Sequence, residues 1–412
     1  MKCNLKSKDS FDMEAIYAAT SQLHSLAEEL NKLYPQRSFL INQYALTLLT
    51  RSHHLLYGVY GTGKSALIRD ILSALGVNEN HIWRMDFSRQ TTESEVVGPT
   101  DVVALRNDGV LMRNPKGTIR EARYAELNEF FDAPTLNRLL LTILHERQYR
   151  RGGEQEDVPL ESAFVSTNVD PEHLVKRYPD SDALIDRFPF QYHIKGWLES
   201  KDDLRKIFTK FRHGMKPTTV INYDEMSLAR DMVADATDQL SDSVAEVMLD
   251  IVLAVRQKWD TERWRKFSDR AFVQWIIVAE AAAVYNGHYE VTFEDLRWLK
   301  YAACNGSPEQ LTAFESIVTP IIDKAIQDQT PTDIDEALMM ALEAVKKDFI
   351  DIPKRPDDKD LVSARRKLVD MLEKVKQMKP VRPENNAQVR KFEGEVADKI
   401  NVIDGYFTGK QM

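Results

Sequence analysis

Eight consecutive residues carry the clearest chemistry in the chain. Gly58-Val59-Tyr60-Gly61-Thr62-Gly63-Lys64-Ser65 has the spacing G-x-x-x-x-G-K-[ST]. The apolar run Leu55-Leu56-Tyr57 precedes it, and a helical pattern carrying Leu67, Ile68, Ile71 and Leu72 follows, so the strand–loop–helix setting that the motif needs is present. Glycines let the backbone curl until successive N–H groups point at one anion, and the start of the helix adds its positive dipole end. Gly58, Tyr60, Gly61, Thr62, Gly63, Lys64, Ser65 and Ala66 are therefore the expected nucleotide-binding residues. Lys64 is expected to reach the β- and γ-phosphates and the Ser65 hydroxyl to hold Mg²⁺. The expected ligand is ATP with Mg²⁺, although kinases, motors and switches share this loop.

Hydrolysis needs a metal partner and a group that orients the attacking water, and in such proteins these sit at another strand end. Tyr124-Ala125-Glu126-Leu127-Asn128-Glu129 closes one apolar run. Glu129 is the candidate for polarising water, and Asn128 stands beside it near the metal. Ser162 to Asn168 is a second apolar strand with a polar tip, where Asn168 is placed to touch the γ-phosphate or the water. Glu126 lies inside the first strand, where an unpaired charge is costly. It either faces a sheet edge or marks a frame in which Glu126 itself is the acid.

The elements that must hold these residues follow from periodicity. Residues 11–51 read as two amphipathic helices broken at Tyr34-Pro35. From 53 to about 195, apolar runs at His53–Gly58, His81–Asp86, Tyr124–Asn128, Ser162–Thr167 and Phe188–Ile194 alternate with helical segments, which predicts a parallel sheet covered on both faces. After 198 the strand signal fades. Phe272, Trp275, Ile276, Ala279 and Ala283 make a helical stripe, and Thr292 with Asp295 looks like a helix start. Val102–Leu105 and Val110–Met112 flank Asn107-Asp108-Gly109 as an expected β-hairpin, and a second is expected from Tyr149 through Gly152-Gly153 towards Pro159. Arg147, Arg150 and Arg151 are expected to line an interface or pore, or to be solvated. Leu361, Ala364, Leu368, Met371, Val375 and Met378 form one late stripe, and Val389, Phe392, Val396, Ile400 and Ile403 another; together they predict a helical hairpin.

Composition narrows the class. The 412 residues include 55 Lys and Arg against 64 Asp and Glu, a net charge of −9, which disfavours a general nucleic-acid binder. Cys3 and Cys304 are the two cysteines, so neither a disulfide framework nor a cysteine zinc site is expected, and a cytoplasmic setting follows. The nine histidines form no ligand cluster, which leaves Mg²⁺ as the expected metal. The most apolar stretch, Ala271 to Tyr285, contains Gln274 and Glu280 and is too short to span a bilayer; the N-terminus lacks a secretory run.

Taken in succession, Gly58–Ser65, Asn128-Glu129, Asn168, Asp186-Arg187-Phe188 and Ser268-Asp269-Arg270 resemble an AAA+ ATPase of the MoxR group, nearest its RavA-like branch. Ser94-Glu95-Val96-Val97-Gly98-Pro99 and Leu127–Pro134 extend the similarity, which covers about residues 30–305. The resemblance implies an α/β fold: an αβα P-loop core with a parallel five-stranded sheet, an all-helical lid and a helical C-terminal extension. The corresponding domains are a leader (1–36), the core (37–197), the lid (198–305) and the extension (306–412). It also implies roles. Lys64 and Ser65 would be Walker A residues, Asn128 and Glu129 the Walker B pair, Asn168 sensor 1, Arg270 a sensor 2 reaching back to the phosphates, and Arg187 an arginine finger for the neighbouring subunit. The hairpin near 102–112 would be the family's insertion facing the ring pore. The implied assembly is a homo-oligomeric ring, expected to be a hexamer, that remodels a protein client, with a von Willebrand factor A domain protein as partner. Asn128 departs from the usual Asp, which keeps open a nucleotide-gated scaffold with little hydrolysis. A DNA-associated motor is a further alternative.

Overall fold

The structure, a computed structural model, describes residues 11–109, 112–151, 154–170, 185–235, 239–259, 267–329, 358–378 and 383–408, with isolated positions at 173, 339, 341–343 and 345–346. The chain divides into two compact units, Met1–Asp323 and Lys324–Met412.

The first unit is built on a five-stranded parallel sheet. Its strands are β1 (His54–Gly58), β2 (Ile82–Asp86), β3 (Tyr124–Asn128), β6 (Ser162–Thr167) and β7 (Phe190–Ile194), in the order β2-β3-β6-β1-β7. Each lies in an expected apolar run, with β1, β2 and β7 starting one or two residues later than the runs do. β1, β3 and β6 are buried on both faces, as parallel strands under helices must be, while the edge strand β2 alternates. Register pairs Tyr57 with Thr167 and Asn128 with both Ser166 and Asp86. The carboxyl ends of four neighbouring strands therefore finish level, which is where open α/β sheets place their ligands.

Helices cover this sheet. α1 (Met13–Leu33) is capped by Asp12, whose carboxylate accepts from Ala15 N, and it ends just before Pro35. α2 (Ser38–Leu49) is buried almost throughout. α3 (Lys64–Ser73) follows the glycine-rich loop. After a short α4 (Glu93–Val97), the segment expected to be a β-hairpin is instead α5 (Val102–Asp108). Asp101 caps it through Val103 N and Ala104 N, and Gly109 closes it in the left-handed region at φ +68°. Local capping outweighs the β-branched valines; a lone antiparallel bridge between Thr100 and Arg113 is what survives of the hairpin. Val110 and Leu111 lie outside the described residues.

α6 (Asn137–Glu146) leads into the hairpin β4 (Gln148–Arg151) and β5 (Glu154–Asp157), as expected; Gly152 and Gly153 lie outside the described residues. Arg147 is half-buried and not simply solvated. Its guanidinium donates to the backbone carbonyls of Arg51, Leu160 and Glu161, fastening the hairpin base. Glu126 is fully buried but not unpaired: Arg69 and Arg84 each approach its carboxylate at 3.3 Å, so the expected cost is met by two guanidinium groups.

Beyond β7 the described elements are helical. α7 (Lys201–His213), α8 (Tyr223–Asp235), α9 (Asp242–Lys258) and α10 (Asp269–Tyr285) precede a 3-10 helix at Glu294–Leu299, α11 (Lys300–Ala303) and α12 (Pro308–Gln329). In α10 the expected stripe residues Trp275, Ala279 and Ala283 are buried and Phe272 and Ile276 half-buried, while the second half of the helix, Val278–Tyr285, is buried throughout. Thr292 N donates to Asp295 as expected of a helix start.

In the second unit, α13 (Asp358–Gln377) and α14 (Pro383–Thr408) form the expected hairpin. Leu361, Ala364, Leu368, Met371 and Val375 close on Val389, Phe392, Val396, Ile400 and Ile403 in a core of the unit's own. Among the described residues, no helix is long and apolar enough to cross a membrane.

Candidate nucleotide site

The loop between β1 and α3 takes a shape that side chains would prevent. Gly58 has φ +123°, and a Cβ there would sit 2.2 Å from the carbonyl oxygen of Ile194 on the neighbouring strand. Gly61 and Gly63 also lie at positive φ, the latter as the cap of α3. Thr62 Oγ1 donates to Val59 O at 2.9 Å and closes the loop on itself. Lys64 and Ser65 are thereby the first two residues of a helix, with Ala66 exposed in the same turn.

Lys64 Nζ donates to Gly58 O and Val59 O, both at 2.9 Å, and to Asn168 Oδ1 at 2.7 Å. Burial lowers its pKa, and the charge of Glu129 works the other way. The Glu129 carboxylate accepts from Asn168 Nδ2 and, at 3.3 Å, from Asn168 N. Glu129 leaves the strand in the left-handed region at φ +49°, so its side chain turns back over the sheet end. Ser65 Oγ donates to Asn128 Oδ1 at 3.2 Å, and Ser166 Oγ to the same oxygen at 2.7 Å. Lys64, Ser65, Asn128, Glu129 and Asn168 are thus one hydrogen-bonded cluster drawn from three neighbouring strand ends. This arrangement can hold a triphosphate against an ammonium and present a carboxylate to water beside it.

A metal here would be held by the Ser65 hydroxyl and the Asn128 amide oxygen. Both are hard oxygen donors, and a set so small suits Mg²⁺, which keeps several waters and takes other ligands from phosphate. Among the described residues, no group of three or more His, Cys, Asp or Glu side chains could hold a metal alone.

Arg187 and Arg270 form a second cluster. Arg270 Nη1 donates to Asp186 Oδ2 at 2.8 Å, and Ser268 Oγ donates to the other carboxylate oxygen at 3.4 Å. Burial lowers the Arg187 pKa first and the Arg270 charge next, with Asp186 and Glu146 opposing. His145 is depressed by burial and by the same two arginines. Arg270 therefore engages the residue beside Arg187.

Two residues at the loop were not among those expected. Trp197 Nε1 donates to Tyr60 O at 3.1 Å, and the two exposed rings meet edge to face. Asp86 accepts from Asn128 Nδ2 at 2.9 Å. An acidic residue closing the apolar run His81–Asp86 was the available signal for the second; nothing in the sequence pattern singles out Trp197.

Residues 21–227 match the family described as the MoxR domain in MoxR-vWA-beta-propeller ternary systems. This chain belongs to the MoxR family of AAA+ ATPases. The matched segment of this MoxR protein contains the whole sheet and the Lys64 cluster, and it ends inside α8. An uncharacterised protein of Methanocaldococcus jannaschii is 30% identical over 281 residues, 68% of this chain and 69% of its own length. A second from the same organism is 28% identical over 288 residues, 70% of this chain and 72% of its own. A structural protein of Acidianus two-tailed virus is 26% identical over 188 residues, 45% of this chain and 29% of the viral protein. Among solved structures, a candidate ATPase from Cytophaga hutchinsonii aligns with a TM-score of 0.54 over 76% of this chain and 96% of its own, at 19% identity, which speaks to the fold alone.

Proposed function

We propose that this MoxR protein hydrolyses ATP at the Lys64 cluster and uses the turnover to remodel a partner protein. The supporting observation is the continuous hydrogen-bonded path from Lys64 through Asn168 to Glu129. Lys64 and the loop N–H groups of residues 58–66 bind the β- and γ-phosphates. Glu129 takes a proton from water as its oxygen bonds to the γ-phosphorus; the bond to the β-phosphate oxygen breaks, leaving ADP and inorganic phosphate. Asn168 positions Glu129 relative to the γ-phosphate. Bound Mg²⁺ would neutralise charge on the β- and γ-oxygens.

The site is shared between copies, with Arg187 as the finger entering the neighbour's site. The contact of Arg270 with Asp186 supports a role on that same face. We assign 37–197 to the core, 198–305 to the lid, 1–36 to a leader and 306–412 to an extension for docking or ring support. The assembly is a hexameric ring, and the partner is a von Willebrand factor A domain protein, in keeping with the ternary systems that the matched family describes. Placement in the RavA-like branch rests on sequence resemblance, and cytoplasmic residence on composition.

Phosphate release by the purified protein tests this reading: Lys64→Ala and Glu129→Gln should each abolish it. A second reading, a nucleotide-gated scaffold, is favoured by Asn128 standing where the family has Asp. It wins if the wild-type protein binds ATP without releasing phosphate. Turnover stimulated by DNA and steeply lost with added salt would instead favour a DNA-associated motor.

A further inference from the structure

We propose that Asp86, acting through the side-chain amide of Asn128, supplies the negative charge that a carboxylate at position 128 would otherwise give the metal subsite beside Ser65. This rests on the assignment of Ser65 and Asn128 to the metal.

The strand register sets up the relationship. β2 and β3 run parallel with Asp86 opposite Asn128, so the two side chains leave adjacent strand ends together. Asn128 Nδ2 donates to Asp86 Oδ1 at 2.9 Å and to Glu126 Oε1 at 3.2 Å. Carboxylates accept only, so these two partners fix which end of the amide is nitrogen. The oxygen must then face Ser65 and Ser166, as it does. An amide whose N–H groups are bound by anions carries more negative charge on its oxygen.

The two carboxylates are not equivalent. Glu126 is buried between Arg69 and Arg84, and its charge is spent there. Asp86 is exposed, and among the described residues no cation pairs with it. Its charge is therefore the one left over, one amide away from the metal-facing oxygen. That geometry matches the outer partners that orient metal ligands and raise their basicity. Asp86 is on this account a positioning residue.

The test uses Mn²⁺ as the probe, with the free ion followed by electron paramagnetic resonance in the presence of a non-hydrolysable ATP analogue. Analogue affinity in EDTA reports separately on whether the loop is intact. Asp86→Asn should weaken Mn²⁺ binding to the protein–analogue complex by about 10- to 100-fold, the usual cost of losing an outer partner. Its analogue affinity in EDTA should not change. Adding Asn128→Asp to Asp86→Asn should restore the Mn²⁺ affinity, because the charge has only moved across the strand pair. Equal Mn²⁺ affinity in wild type and Asp86→Asn overturns the proposal alone. So does a loss that Asn128→Asp fails to repair, since Asp86 would then act through something other than Asn128. Wild-type protein that binds no analogue at all, with or without metal, sinks the phosphate-loop assignment as well.

Discussion

Asn168 joins Lys64 to Glu129: its side-chain oxygen accepts from the ammonium at 2.7 Å while its side-chain N–H donates to the carboxylate. An ammonium can only donate and an ionised carboxylate only accept, so the amide has one orientation that satisfies both. Asn168→Ala should lower kcat by about 100-fold, the cost of misplacing a reacting group by an ångström or so, with a smaller change in KM. Steady-state phosphate release measures both. A variant whose kcat matches wild type would remove Asn168 from the reaction centre.

Arg187→Ala should bind nucleotide normally and lose about 10³- to 10⁵-fold in turnover, the range for a finger guanidinium. Mixing it with Glu129→Gln protein should recover part of the activity, because each variant lacks a different half of a shared site. If the mixture is as inactive as its components, a finger working between copies is excluded.

Gly58→Ala tests the close approach of two strands. The added methyl meets Ile194 O, and φ +123° is strained for any side chain. Overpacking of this kind costs about 1–3 kcal/mol, so a lower Tm and weakened nucleotide binding are expected. Calorimetry and a fluorescent-nucleotide titration check the two effects, and an unchanged Tm would contradict the contact.

Acid should unfold the first unit early. His53 accepts from Ala163 N at Nδ1, so Nε2 is left to donate to Leu144 O; this is the neutral imidazole. His54 is fully buried against Gln43. Burial pushes both pKa values down, to about 3. The folded state thus resists a proton that the unfolded state accepts near pH 6.5. Stability is complete above that pH and falls as the pH drops towards 3, by about 1.4 kcal/mol per unit for each imidazole. His53→Gln should flatten the slope of Tm against pH between 6 and 4; an unaltered slope would refute its contribution.

Much of this was written in the order of residues. Lys64, Ser65, Asn128, Glu129 and Asn168 each close or open a strongly apolar element, and register brings such ends level, so the cluster could be anticipated without knowing strand order. α5 was misjudged because Val102 and Val103 favour strands, whereas the deciding interactions are local caps at Asp101 and Gly109. The partners of Glu126 could not be read at all. Arg69 and Arg84 reach it from a helix and from the next strand, and no periodicity encodes that meeting. The contact of Arg270 with Asp186 was equally hidden, because it spans 84 positions.

The indole of Trp197 leans on the carbonyl of Tyr60 while remaining largely open to water. A fluorophore so placed responds to whatever displaces that carbonyl, so the molecule carries its own optical gauge of loop filling. Emission from this side chain, isolated by comparison with a Trp197→Phe protein, would follow ligand arrival in real time without any attached label.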